Sequence, residues 1–225
     1  MDTKKIVELR WIHYVYEFFI VAIGISVPFL LDRWNDQRLE KKAERENYRY
    51  ILQELREDKS ELQHVADYNL YYLGHARQAS KIILEEDKSQ MDTLGRLAID
   101  LRYVSDFHRN HSIYENLINS EKIKLIQNTS LINQLQNLDE LYTYINRLEG
   151  NHLQVVINTA LPTISQYLSF DPYQVADENA LFSYPFHNLV VLLASVMQEK
   201  AELYERTLAR ISEIEAAVSG ELERK

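Results

Sequence analysis

The chain has 225 residues with only five glycines, four prolines and no cysteine, and it carries a formal net charge of −9. A sheet protein needs turn chemistry every ten residues or so, and nothing here supplies it, so long helices are expected. The missing cysteines exclude a disulfide framework and a thiolate zinc site, and the acidic balance argues against nucleic acid as a partner.

The first expected element is a transmembrane helix. Residues 18–31, "FFIVAIGISVPFLL", carry no formal charge. They supply about 21 Å of helix, less than the roughly 30 Å hydrocarbon core of a bilayer. The flanks extend the run: Trp11, Tyr14 and Tyr16 precede it and Trp34 follows it, as interfacial anchors do. From Trp11 to Trp34 is about 35 Å along a helix, enough for a core and part of each interface. No small-residue cleavage site appears in "PFLLDRWND", which disfavours a cleaved signal peptide. A buried core helix is the other reading, although a run this uniform is apolar all round. Residues 1–34 therefore read as a tail and a single span.

Glu17 stands about 9 Å inside Trp11, where a carboxylate snorkels to the interface or finds a polar partner. Glu17, Gly24 and Leu31 are spaced by seven and share a face with Val21 and Pro28. Glycine on that face lets a second helix approach, so Glu17, Gly24 and Pro28 are candidates for an interface between spans. Basic residues before the span (Lys4, Lys5, Arg10) are fewer than those after it (Arg33, Arg38, Lys41, Lys42, Arg45, Arg49), which leans the larger domain toward the cytoplasm.

Residues 35–47 follow as a charged helical stalk, with acids and bases placed to pair three and four apart. A helical-bundle domain is expected over 48–225. Tyr48, Ile51, Leu55, Asp58, Leu62, Val65, Asn69, Tyr72, Ala76, Ala79 and Ile83 alternate by three and four, with Asp58 and Asn69 as polar residues in an apolar seam. The C-terminal segment repeats the pattern at Val190, Ala194, Met197, Ala201, Tyr204, Leu208, Ile211, Glu215, Val218 and Leu222, and Pro185 suits its start. Shorter helices lie between. Leu94, Leu97, Leu101 and Val104 line one of them, and Ser112 with Glu115 forms a capping-box signature for the next. A third, with Leu131, Leu135, Leu138, Tyr142 and Ile145, is expected to break at Glu149-Gly150-Asn151 and to kink near Pro162. "DPYQVADENALFSYP" reads as one long loop. The fold class is all-α: a span continuing into an elongated antiparallel bundle, with coiled-coil-like seams that serve packing within one chain or between chains.

Chemistry-bearing motifs are few. Asp106, His108 and His111 in "DFHRNH" could hold a metal on a helix, but the stretch reads as a turn, so no metal site is expected. His152 and His187 look isolated. The tyrosines of "YNLYY" at 68–72 read as core residues whose hydroxyls reach solvent, with a binding surface as the alternative. No phosphate loop, nucleophile elbow or zinc-protease helix occurs, so no cofactor and no enzyme activity is expected.

Three stretches together resemble an uncharacterised family of bacterial single-span membrane proteins. Glu17 is followed by six apolar positions, Gly24, nine more positions and then Trp34-Asn35-Asp36. In mid-chain "YENLINSEKIKLIQN" is similar to that family's Tyr-x-x-Leu, Ser-Gly, Leu-Ile pattern, and "ARISEIEAAVSGELE" is similar to its closing helix. Tyr16 replaces the glycine that usually precedes the glutamate, Asp32-Arg33 replace amides, and Glu121 replaces the glycine after Ser120. The resemblance implies one span in the inner membrane and a helical domain, and it lends no activity. The expected function is a non-enzymatic, membrane-anchored scaffold or signalling protein. It would oligomerise or dock a protein partner at the lipid bilayer. The alternative is a channel-like effector whose assembled span carries Glu17 and Gly24.

Overall fold

The computed structural model describes residues 3–108 and 113–224, with side chains from residue 16 onward, and divides into two compact units, Met1–Asn47 and Tyr48–Lys225. The described part of the first unit is wholly helical and belongs to α1 (Thr3–Leu84), which passes Pro28 without ending. Phe18, Phe19, Ile20 and Val21 point to four sides of one turn, and all are exposed. The stalk segment carries one of the expected charge pairs, Lys42 to Glu46 at 4.0 Å. Among the described residues no helix is long and apolar enough to cross a membrane.

The second unit is a bundle of three long helices: residues 48–84 of α1, α4 (Thr129–Val155) and α7 (Tyr184–Glu223). Of the eleven seam positions in α1, ten are buried and Tyr72 is half-buried, so the seam faces this chain's own core. In α7 the buried face is wider than the expected seam and turned from it, since Ala194, Ala201, Leu208, Glu215 and Leu222 are only half-buried. Met197, Tyr204, Ile211 and Val218 are buried as the spacing requires, but Leu193, Lys200, Leu203, Thr207 and Ile214 join them. The width follows from position: α7 packs against α1 on one side and α4 on the other. Lys59 meets Glu215 at 2.7 Å, Asn69 meets the Met197 carbonyl at 2.8 Å and Ser80 meets His187 at 3.0 Å, so α1 and α7 run antiparallel. Asn128 to Glu221 at 2.9 Å and Tyr144 to Glu199 at 2.7 Å make α4 antiparallel to α7 as well.

Side chains cap two of the long helices at positions the sequence reading did not single out. Asn128 accepts from the Leu131 N–H at 3.1 Å to start α4, and Ser183 accepts from Phe186 at 3.4 Å to start α7, with Pro185 in its first turn. Two short helices, α2 (Met91–Asp100) and α3 (Ile113–Asn119), pack beside the bundle. Ser112, expected to cap α3, lies outside the described residues.

Two expectations are corrected, at Gly150 and in the long loop, and the one at Pro162 is made specific. Gly150 does not break α4, which runs through it, because Leu148, Glu149 and His152 continue the helix's buried stripe. At Pro162 the irregularity is a π-helical turn, Val156–Ala160, closed by the Leu161 N–H on the Val156 carbonyl. It leads into α5 (Leu161–Tyr167), where proline's missing N–H is tolerated in the first turn. The expected long loop instead holds structure. A hairpin pairs β1 (Leu168–Phe170) with β2 (Tyr173–Val175), and Asp177 caps the one-turn helix α6 (Glu178–Leu181). Three-residue strands are too short to show alternation. The hairpin sits against α2 at Gly95, where a Cβ would stand 2.2 Å from the Tyr173 hydroxyl, and that hydroxyl donates to the Asp92 carbonyl at 3.0 Å.

Glu86 (φ 49°) and Glu121 (φ 57°) lie in the left-handed region. Glu86 closes α1, with its N–H on the Ile83 carbonyl and the next N–H on Ile82. Glu121 turns the chain after α3, at the position where the resemblance leads one to expect glycine. Its ion pair with Lys124, exposed on both sides, contributes little. Glu121→Gly relieves the left-handed strain and is expected to raise stability by about 1 kcal/mol in urea unfolding. A lower midpoint would refute this.

Candidate functional site

A polar layer crosses the second unit between two apolar cores. One core is built from residues 48–66 of α1, most of α4 and residues 203–218 of α7; the other holds residues 73–83 of α1, α2, α5 and residues 186–197 of α7. Between them, at the same level in every helix, lie Asn69, Ser105, Glu149, His152 and Lys200, all buried. Lys200 and His152 are both 0% exposed.

Helical spacing assembles the layer. Glu149 and His152 are three apart on α4, and Lys200 and Tyr204 are four apart on α7, so each pair shares a face. The antiparallel packing sets Glu149 against Tyr204. It follows that His152, one turn further along α4, stands level with Lys200, one turn back along α7. The segment after α2 closes the third side with Ser105 and the Phe107 backbone.

One directed hydrogen-bond chain runs through the layer. Lys200 Nζ donates to Ser105 Oγ at 2.6 Å, Ser105 Oγ lies 2.9 Å from the Tyr204 hydroxyl, and that hydroxyl donates to Glu149 Oε1. The Phe107 N–H reaches both Glu149 carboxylate oxygens at 3.1 Å. Asn69 ties α1 into the layer, donating to the Met197 carbonyl at 2.8 Å with its own oxygen 3.5 Å from Ser105 Oγ.

Burial dominates the electrostatics. It raises the Glu149 carboxyl above the usual range, against the Tyr204 hydroxyl, the Phe107 N–H and the Lys200 charge, which lower it. Burial pulls Lys200 down to about 8, against Glu149 and Asp106. His152 falls to about 3 through burial and the nearby Lys200 charge, so its ring is neutral. Tyr204 is pushed far up by burial and by Glu149, and it keeps its proton. Lysine, two hydroxyls and a carboxylate in a row can shift three protons together. Nζ–H passes to Ser105, Ser105 O–H to Tyr204 and Tyr204 O–H to Glu149, turning an ion pair into a neutral amine and a neutral acid.

Asn69, read from the sequence as a polar residue in the α1 seam, is part of this layer. The others were missed. In the sequence His152 reads as isolated and Glu149 as the start of a break. The available signal was periodic: Glu149 and His152 extend the stripe of Leu131, Leu138, Tyr142 and Ile145, and Lys200 falls between Met197 and Tyr204 on the buried face of α7.

The remaining sequence candidates lie elsewhere. Glu17, Gly24 and Pro28 are exposed on α1, as is Trp34, whose ring has the Arg38 guanidinium 5.9 Å from its centre. The side chains of Trp11 and Tyr14 are outside the described residues, and so is His111. Asp106 and His108 approach to 3.5 Å at the surface, and no metal-holding group of three occurs among the described residues. His187 bonds Ser80. The tyrosines of 68–72 are not core residues: Tyr68 and Tyr71 are exposed and Tyr72 is half-buried, and they form an aromatic cluster with Tyr103 and His75. Tyr72 and Tyr103 have ring centres 4.5 Å apart, His75 is 2.7 Å from Asp100, and burial pushes Tyr72 up to about 12.

No family model, curated protein or solved structure matches this chain.

Proposed function

We propose that this chain is a membrane-anchored, non-enzymatic helical scaffold. Residues 1–34 enter the inner membrane as a single span, and the second unit, on the cytoplasmic side, oligomerises or docks a protein partner there. The observation that carries this reading is the all-round exposure of the apolar run. Phe18, Ile20, Ile25 and Phe29 are 69%, 69%, 67% and 77% exposed, and Leu30 and Leu31 are exposed beside them. Each such side chain gains roughly 1.5–3 kcal/mol on leaving water, and monomeric soluble proteins seldom expose a contiguous apolar surface of this extent. The run itself is short for a span. The reading therefore needs Trp34 with Arg38 at one interface and Trp11 with Tyr14 at the other.

Carbonate extraction of membranes tests the proposal. The full chain is expected to stay in the pellet, and a shortened chain beginning at Asn35 is expected to appear in the supernatant. Release of the full chain by carbonate would overturn the anchor. A second reading, a channel-like assembly of spans, rests on the placing of Glu17, Gly24 and Pro28 toward one face of the apolar run, where glycine lets a neighbouring helix come close. Light scattering in detergent separates the two. Oligomers of the full chain alone favour spans assembled through Glu17, Gly24 and Pro28. Equal oligomers of both chains favour assembly through the second unit.

A further inference from the structure

We infer that the polar layer binds one internal water molecule between His152 of α4 and Lys200 of α7. His152 is 0% exposed, and among the described residues neither of its ring nitrogens has a hydrogen-bond partner. Buried polar groups in folded proteins are almost always paired, and an imidazole surrounded by helices finds its partner in whatever shares its level of the bundle. That level holds Lys200, an ammonium with three N–H donors, one of which goes to Ser105 Oγ.

Charge selects the ligand. A cation would meet the Lys200 ammonium. An anion would meet the Glu149 carboxylate, which already answers Lys200 through Ser105 and Tyr204, and it would feel Asp106 as well. The ring of His152 is neutral and offers one donor and one acceptor. A small uncharged molecule that accepts from an ammonium and donates to a ring nitrogen pairs Lys200 with the acceptor nitrogen of His152, and water does this in the least space. The hydrogen-bonded chain then runs from His152 through the water, Lys200, Ser105 and Tyr204 to Glu149. It joins α4, α7 and the segment after α2 in one network, with Asn69 bringing in α1.

The full chain in detergent micelles, labelled with 15N histidine, provides the test at neutral pH. The His152 ring is expected to show one protonated nitrogen and one acceptor nitrogen shifted upfield by a hydrogen bond. Oxygen-17 relaxation dispersion is expected to lose the contribution of one long-lived water in His152→Leu and to keep it in His152→Gln. Ring nitrogens at free-imidazole positions overturn the site without any variant. A bonded ring with the same dispersion in His152→Leu overturns it too, because the partner would then be protein. If His152→Leu does not fold, His152→Phe and His152→Met carry the same comparison.

Discussion

Between pH 6.5 and about pH 3 the second unit is expected to lose stability on the order of 4 kcal/mol through His152 alone. Burial and the Lys200 charge hold the folded-state pKa near 3, while the unfolded chain titrates at the ordinary 6.5. Over that window the unfolded state binds the proton that the folded state refuses. This stability is therefore complete above pH 6.5 and falls as the pH is lowered, levelling off once the buried ring also protonates. Glu149 works in the opposite sense. Its raised folded pKa makes the folded state take up a proton before the unfolded chain does, adding stability as the pH falls through that range. The two are separated by comparing urea unfolding of the natural chain, His152→Gln and His152→Leu across pH 3–7. Both variants should flatten the acid slope, and Glu149→Gln should steepen it. An unchanged slope in both His152 variants would mean that the ring is solvated in the folded state.

Removing one of the two buried charges that Ser105 and Tyr204 connect should be far worse than removing both. Lys200→Met leaves the Glu149 carboxylate buried with only Tyr204 and the Phe107 N–H to hold it, and is expected to lose about 3 kcal/mol at pH 7. Glu149→Gln likewise strands the Lys200 ammonium against Ser105. The double variant Lys200→Met/Glu149→Gln should lose only about 1 kcal/mol, well below either single. Alkaline pH provides an independent readout. The folded pKa of Lys200, about 8, lies below the unfolded 10.5, so the natural chain should gain stability as the pH rises between those values. Lys200→Met should abolish that gain. Additive singles together with an unchanged alkaline limb would show that the two groups do not communicate through Ser105 and Tyr204.

The long helices, the antiparallel bundle, the start of α7 at Pro185 and ten of the eleven α1 seam positions were legible in the residues. Helical periodicity and capping are local: they depend on spacings of three and four, and on one side chain meeting one nearby N–H. The α7 face was only half legible, because periodicity says which side is buried but not that two neighbours widen it. The hairpin at 168–175 escaped because pairing over three residues is fixed by its fit against Gly95, far away in sequence.

The polar layer shows the division most clearly. By sequence alone, Glu149-Gly150-Asn151 is a hydrophilic interruption and His152 and Lys200 are unrelated residues. Only the antiparallel register of α4 on α7 brings 149 to 204 and 152 level with 200, where burial turns ordinary side chains into a coupled set. Sequence determined that this protein is helical, where its apolar run lies, and which faces its helices bury. Tertiary packing decided which polar residues share a level in the core, because desolvation and charge pairing depend on distance through space and not along the chain.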